Sequence, residues 1–244
     1  MYFGYYYFDP LYGLVLVAML LSLLAGARVN STFKKYSRVR NCRGMTGADA
    51  ARAVLAANGV SGVRIERVSG NLTDHYDPKS NVIRLSDSVY DAPTTAAVGV
   101  AAHEAGHAVQ YATGYVPIRV RAAIVPITNI GSRLSMPLIL LGLIMMSIEA
   151  VPAVSDFFYY VAVVGALCYG TCVVFQLITL PTEFNASRRA VRAIEQSNLL
   201  TDEESRGAKK VLTAAAMTYV AALAVSLTQF LRLLVLVGGR RRRD

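Results

Sequence analysis

The chain has 244 residues, of which 54% are hydrophobic and 17% are charged, and its formal net charge is +9. This composition is typical of a membrane protein and argues against an ordinary soluble enzyme, in which about a quarter of the residues are charged. The basic residues flank apolar segments and do not interleave with aromatic residues on one surface. We therefore expect the lipid bilayer, and no nucleic acid, as a partner.

The first apolar segment, residues 11–27, predicts a retained transmembrane anchor within the segment 1–27. Basic residues follow it from Arg28 to Arg43 without an intervening acid. A transmembrane hairpin is also predicted at residues 131–180, and the loop between its two spans carries Glu149 and Asp156 and no basic residue. The positive-inside rule then predicts a multi-pass protein of the plasma membrane with residue 28 on the cytoplasmic side.

A polar module follows at residues 28–130. Thr46 and Asp49 predict the start of a helix that ends at Asn58-Gly59. Residues 63–68 alternate as a strand, and residues 71–76 and 81–86 predict a hairpin around the turn at 77–80. This order of helix, strand and hairpin fits a small α+β catalytic module, in which an exposed strand can bind an extended peptide.

The segment HEAGH at residues 103–107 contains two of the three histidines of the chain. On a helix, His103 and His107 lie one turn apart and about 40° apart, so both imidazoles can bind one zinc ion. Glu104 then flanks the open fourth position, where a general base is needed. The HExxH pattern therefore predicts a zinc hydrolase with Glu104 as its catalytic residue.

The helix that carries the motif is expected to begin after Asp91 as its N-cap, with Pro93 in its first turn. It should contain the run of small and apolar residues from Ala96 to Ala112 and stop at Gly114. Gly106 lowers the helix propensity by about 1 kcal/mol relative to alanine. Its presence indicates either the close approach of another backbone or ordinary tight helix packing.

A third zinc ligand is expected from the segment 181–210, which follows a predicted transmembrane hairpin at 131–180. Pro181 predicts a helix start there, and Glu183 in its first turn is a better ligand than His75, which lies in the hairpin. The alternative role of Glu183 is a carboxylate that interacts with the helix dipole.

The last segment, 211–244, is a hydrophobic helix with a basic tail. Either it crosses the membrane, or residues 211–226 pack over the active site and the remainder lies at the inner face.

Three segments carry a resemblance to a known family. They are HEAGHAVQ at 103–110, DHYDP at 74–78 and LPTEFNASRRA at 180–190. Together they resemble the YugP-like neutral zinc metallopeptidases of bacterial membranes over nearly the whole chain, and more distantly the HtpX and CAAX-prenyl proteases. The resemblance implies a mainly α membrane protein with a zincin-like α+β module inserted between transmembrane helices. It maps His103, His107 and Glu183 onto the metal ligands of one zinc per chain, and Glu104 onto the base.

Further residues are candidates for supporting roles. The distant relatives usually carry aspartate four residues after the ligand glutamate, where this chain has Ser187, which is thus the candidate for orienting a ligand. An oxyanion stabiliser is also required, and its candidates are His75, Tyr76, Tyr219 and Arg188.

The expected function is a membrane-embedded zinc metallopeptidase with a peptide or membrane-protein substrate and an active site at the cytoplasmic surface. The alternatives are a zinc-stabilised scaffold or chaperone without proteolytic activity, a site-2-type intramembrane protease, and a zinc hydrolase acting on lipid or another non-peptide amide. The oligomeric state is left open.

Overall fold

The computed structural model describes residues 10–148 and 152–240. Glu149 and the residues after 240 in the basic tail lie outside this range. The described residues form six helices and three strands in the order α1 (Pro10–Tyr36), α2 (Gly47–Ala57), β1 (Arg64–Val68), β2 (His75–Asp77), β3 (Val82–Ser86), α3 (Thr95–Ala112), α4 (Val116–Ile148), α5 (Pro152–Gln196) and α6 (Asp202–Arg240).

Four of these helices are long and apolar enough to cross a membrane. The candidate spans are Leu11–Tyr36, Val116–Ile148, Val154–Gln196 and Asp202–Gly239. They correspond to the four apolar segments of the sequence, so the prediction of a mainly α membrane protein is confirmed. The final apolar segment belongs to one uninterrupted helix, α6.

The prediction that Pro181 begins a helix is wrong, because Pro181 lies inside α5, which begins at Pro152. Proline removes one backbone N–H donor from a helix, and long apolar helices of membrane proteins tolerate that loss. The apolar residues before Pro181 therefore continue the helix into the polar segment that carries Glu183.

The chain divides into two compact units, to both of which α1, α4, α5 and α6 contribute residues. The first comprises Met1–Leu23, Arg121–Leu177 and Val220–Asp244, and the second comprises Leu24–Val120 and Ile178–Tyr219. The core of the first unit is apolar and includes Ile139, Ala162, Ala166, Leu233 and Val237. The division of the sequence into five functional segments stays a prediction.

The second unit contains the small sheet, with strand order β1-β3-β2. Strand β1 pairs with β3 in parallel, and β2 pairs with β3 antiparallel, which confirms the predicted hairpin. Helix α2 begins with a reciprocal cap: the Asp49 N–H donates to Thr46 Oγ1 at 3.2 Å, and the Thr46 N–H donates to Asp49 Oδ2 at 3.3 Å. These local signals in the sequence were sufficient to locate the elements.

Helix α3 carries the HEAGH motif through the core of the second unit, where Ala101, Ala102 and Ala105 are fully buried. Its N-cap is Thr94, whose Oγ1 accepts a hydrogen bond from the Ala97 N–H at 3.3 Å. The prediction of Asp91 as the cap is wrong, since that carboxylate forms an ion pair with Arg67. Pro93 consequently lies before the cap and outside the first turn.

Gly106 marks the closest approach of α3 to α5. A Cβ atom at this position would lie 2.7 Å from the backbone oxygen of Ala186, which is three residues after Glu183. Real Cβ atoms do not approach a backbone oxygen so closely, so a side chain here would push the two helices apart. The interpretation of Gly106 as a site of close backbone approach is confirmed.

We expect Gly106→Ala to lower the free energy of unfolding by about 1–3 kcal/mol, because the added methyl group overpacks a rigid contact. It should also weaken zinc binding, since Glu183 lies on the displaced helix. Thermal unfolding and zinc titration of the purified protein measure the two effects. Gly26→Ala in α1 is the matched control: its Cβ would have no neighbour within 4 Å, and an unfolding temperature lowered equally by both changes would contradict the interpretation.

Candidate metal centre

Three side chains from two helices converge in the second unit. His103 and His107 come from α3, and Glu183 comes from α5. One ligand atom from each lies within 4.8 Å of the other two. Glu183 is 2% exposed, and the side chains of His103 and His107 are 15% and 10% exposed. The cluster is therefore nearly closed to solvent and contains a buried carboxylate.

The distances in this cluster fit a tetrahedral zinc ion. Glu183 Oε2 lies 3.2 Å from His103 Nε2 and 3.5 Å from His107 Nε2. Zinc bonds to nitrogen and oxygen of about 2.0–2.2 Å place neighbouring tetrahedral ligands about 3.3–3.6 Å apart. The carboxylate is thus already spaced from each imidazole as neighbouring ligands of one zinc ion are, and two imidazoles with one carboxylate form a donor set that catalytic zinc sites use.

The second nitrogen of each histidine is also held. Ser187 Oγ lies 3.1 Å from His103 Nδ1, and Gln110 Oε1 lies 3.0 Å from His107 Nδ1. An amide oxygen only accepts hydrogen bonds, so His107 Nδ1 donates to Gln110, and Nε2 is the nitrogen of His107 that is left to bind a metal. Ser187 therefore occupies the supporting position that the sequence suggested for it.

Gln110 is a supporting residue that the sequence analysis missed. It is fully buried, and its Nε2 donates hydrogen bonds to the Thr182 backbone oxygen at 2.8 Å and to Asn185 Oδ1 at 3.0 Å. Gln110 thus links His107 on α3 to Thr182 and Asn185, which lie on either side of Glu183 on α5. The available signal was its position three residues after His107, which places both side chains on one face of the helix.

The electrostatics of the cluster favour a bound cation. Burial by itself would lower the pKa of His107, but the hydrogen bond to Glu183 and the negative charges of Glu104 and Glu183 raise it above its usual value. The carboxylates therefore stabilise positive charge at this position. A divalent ion held by the same atoms would meet that requirement.

Glu104 faces a cavity of about 150 Å³ beside the cluster. The residue is 9% exposed, and the described part of the chain provides no hydrogen-bond donor to its carboxylate. The cavity is lined by Leu72, Asp74, Val100, His103, Glu104, Glu183, Ser187, Val211, Leu212, Ala215, Ala216 and Tyr219. A nearly buried acceptor that lines a cavity and receives no hydrogen bond from the described residues suits a group that takes a proton from a bound molecule.

Asp74 is a third acid that lines this cavity, besides Glu104 and Glu183. It lies just before β2, and it accepts hydrogen bonds from the Ser86 N–H at 2.7 Å and from Ser86 Oγ at 2.9 Å. Burial raises the pKa of the Asp74 carboxyl, the hydrogen bonds from Ser86 lower it, and the charge of Glu104 raises it further, so that the net shift is upward. The cavity beside the cluster is therefore lined by two carboxyl groups, of Asp74 and Glu104, in addition to that of Glu183.

Residues 11–238 match a protein family described as "Putative neutral zinc metallopeptidase". The chain belongs to this family. It is also similar to a protein of Bacillus subtilis (strain 168) described as "Putative membrane protease YugP", with 41% identity over 228 residues, which cover 93% of this chain and 96% of that protein. No solved structure is a significant match. A zinc metallopeptidase family agrees with the donor set assembled by His103, His107 and Glu183.

The residues proposed from the sequence as oxyanion stabilisers lie in different places. Tyr219 lines the cavity, whereas His75, Tyr76 and Arg188 are not among the described residues that line it. His75 is exposed on β2 with Nδ1 2.9 Å from the Thr73 backbone oxygen, and Arg188 is exposed on α5. The hydroxyl of Tyr76 donates to Asn81 Oδ1 at 2.8 Å. The role of His75, Tyr76, Arg188 and Tyr219 in stabilising an oxyanion stays a prediction, and of these residues Tyr219 is the one placed beside the cluster.

The last segment contributes to the same cavity. Val211, Leu212, Ala215, Ala216 and Tyr219 of α6 form one wall. Packing of residues 211–226 beside the active site was one of the two arrangements left open by the sequence. The part up to residue 219 adopts it while remaining within a helix that is long enough to span a membrane.

We expect Asp74→Asn to raise the unfolding temperature at pH 7, because the folded state then no longer holds a disfavoured charge while the hydrogen bonds to Ser86 can persist. An aspartate whose pKa is raised in the folded state lowers the stability only at pH values above its pKa in the unfolded chain, which is about 3.9. The penalty grows as the pH rises through the folded pKa, so the two proteins should converge below pH 4. Thermal unfolding between pH 3.5 and 8 measures this difference, and a gap that widens towards acid would refute it.

Proposed function

We propose that this chain is a zinc-dependent endopeptidase that hydrolyses peptide bonds of membrane or membrane-proximal proteins at the cytoplasmic surface. His103, His107 and Glu183 hold one zinc ion, and Glu104 is the general base. The observation that carries the proposal is that Glu183 Oε2 lies 3.2 Å from His103 Nε2 and 3.5 Å from His107 Nε2, beside a cavity that Glu104 lines. The family description supports the same chemistry.

Zinc, when bound, supplies a Lewis acid that polarises the scissile carbonyl and makes water more acidic. The carboxylate of Glu104 takes a proton from the attacking water and passes it to the nitrogen of the leaving amine. Gln110 and Ser187 keep the two imidazoles in the orientation that presents Nε2 to the site. Tyr219, whose side chain lines the cavity, is the proposed donor to the developing oxyanion.

The substrate is proposed to bind as an extended strand. In the order β1-β3-β2, strand β2 is an edge of the sheet, and it begins one residue after Asp74, which lines the cavity. A peptide added to this edge would form backbone hydrogen bonds and run past the cluster. The aliphatic wall provided by α6 would receive an apolar substrate side chain.

The cytoplasmic location rests on the distribution of charge. The basic residues from Arg28 to Arg43 lie at the end of α1 and directly after it, within the same compact unit as the cluster. Positive charge next to a span favours the cytoplasmic side. The proposal differs from a site-2-type protease in that the motif helix α3 is not one of the four candidate spans.

The test uses the full chain purified in a mild uncharged detergent. Zinc content is measured by mass spectrometry, and cleavage of casein is followed before and after removal of zinc with a chelator. We expect about one zinc per chain, loss of cleavage on chelation and recovery on addition of zinc. Stoichiometric zinc without cleavage of casein or of the chain itself would overturn the peptidase proposal and favour a structural role of the ion.

A further inference from the structure

A second groove in the same compact unit lies between α1 and α6 and has a volume of about 850 Å³. It is not part of the metal centre. Its lining consists of Leu24, Ala25, Arg28, Thr32, Lys35, Tyr36, Arg206, Lys209, Lys210, Thr213, Ala214 and Met217. The volume falls within the range of about 300–1,000 Å³ that small-molecule sites occupy.

The two walls of the groove are single helix faces. The lining residues of each helix recur at intervals of three and four, which places them on one side of the helix. The helices meet at one end, where a Cβ atom on Gly207 would lie 2.8 Å from the ring of Tyr36. The Cys42 N–H also donates to Glu204 Oε1 at 2.7 Å and ties the chain after α1 to the start of α6. The groove is thus held by packing and by a hydrogen bond.

The charge in the groove has one sign. Five cations line it, namely Arg28, Lys35, Arg206, Lys209 and Lys210, and its described lining contains no carboxylate. Arg206 and Lys209 also border a neighbouring pocket with Glu195 and Asp202. Among the residues that the structure describes, none of the five cations forms an ion pair. Such a concentration of positive charge between two packed helices suits an anionic ligand.

The groove also has an apolar end. Leu24, Ala25, Ala214 and Met217 lie about two to three helical turns from the contact of Tyr36 with Gly207. On both helices the apolar run of the candidate span meets the basic residues within this groove, at Arg28 on α1 and before Val211 on α6. This change from apolar to basic residues is expected at the level of the lipid headgroups.

We propose that this groove binds one anionic phospholipid. The five cations hold the phosphate and the anionic headgroup, and an acyl chain lies against the apolar end. A free phosphate ion would use the basic end alone and would leave the apolar end without a function. The proposal does not depend on peptidase activity, because the groove and the cavity at the zinc ligands are lined by different residues.

The test measures binding of dihexanoyl phosphatidylglycerol to the fluorescently labelled full chain in an uncharged detergent. Dihexanoyl phosphatidylcholine and inorganic phosphate are the comparison ligands. The groove variant combines Lys35→Gln, Lys209→Gln and Lys210→Gln. The matched control combines Lys34→Gln, Arg38→Gln and Arg43→Gln, which removes the same charge from exposed positions next to the groove that do not line it. Size-exclusion chromatography and thermal unfolding show that both variants fold.

We expect the groove variant to bind phosphatidylglycerol at least about tenfold more weakly than the unmodified chain, and the control to change by less than about threefold. Phosphatidylcholine should bind weakly to all three proteins. Equal weakening in both variants would overturn the proposal in favour of general surface charge. Inorganic phosphate that binds as tightly as phosphatidylglycerol would overturn the assignment of a lipid. If the groove variant does not fold, Met217→Ser and Ala214→Ser test the apolar end, and unchanged affinity in both would refute an acyl chain there.

Discussion

Replacement of Glu104 with glutamine should lower the turnover number by about 10²- to 10⁴-fold while zinc remains bound. Glutamine has nearly the same size and keeps an acceptor oxygen, but it cannot take a proton from water. Glu104 is not one of the three clustered ligands, so the metal should stay in place. The measurement is casein cleavage under substrate saturation, together with zinc content by mass spectrometry on the same preparation.

The control for this change is Glu203→Gln, which neutralises an exposed carboxylate in the first turn of α6. It should leave both activity and zinc content unchanged. If Glu104→Gln cleaves casein at the rate of the unmodified chain, Glu104 is not the base. Loss of zinc together with loss of activity would instead place Glu104 among the groups that hold the ion.

The local elements of the catalytic module could be predicted because their signals lie close together in sequence. The cap of α2 needs only Thr46 and Asp49, and the hairpin of β2 and β3 needs a turn between two alternating segments. The start of α3 was misplaced by three residues, because Asp91 and Thr94 both suit an N-cap. The choice depended on Arg67, which binds Asp91 from a different element.

Only some residues of the metal centre could be predicted from the sequence. His103 and His107 share a helix, so their spacing is visible in the sequence, whereas Asp74 and Gln110 acquire their environment through contacts with distant segments. Asp74 lines the cavity with its carboxylate held by Ser86 on β3, and Gln110 is held beside His107 by its hydrogen bond to the Thr182 backbone oxygen on α5. Glu183 could be selected from its polar segment, although the expected helix start at Pro181 was wrong. Side-chain contacts between distant elements leave no periodic pattern in the sequence, so they cannot be predicted in the way that helices and strands can.

The close packing of α3 on α5 makes Glu183 the residue whose loss should have the largest effect on metal binding. Glu183→Gln retains the shape of the side chain but replaces a charged ligand with a neutral amide. Changes to outer-shell partners of a metal site cost about 10- to 100-fold in affinity, and loss of a charged ligand should exceed that range. Zinc affinity is measured by competition with a chelator, and activity should fall in parallel at limiting zinc.

Two variants on the same helix calibrate this result. Ser187→Ala removes the contact with His103 Nδ1 and should weaken zinc binding by about 10- to 100-fold. Glu195→Gln changes an exposed glutamate and should leave zinc binding as it is. The loss of zinc affinity should therefore be largest for the ligand Glu183, smaller for the supporting residue Ser187, and absent for the surface residue Glu195. Undiminished zinc affinity in Glu183→Gln would exclude this carboxylate as the third ligand and return the role to His75, which would then have to leave its exposed position on β2.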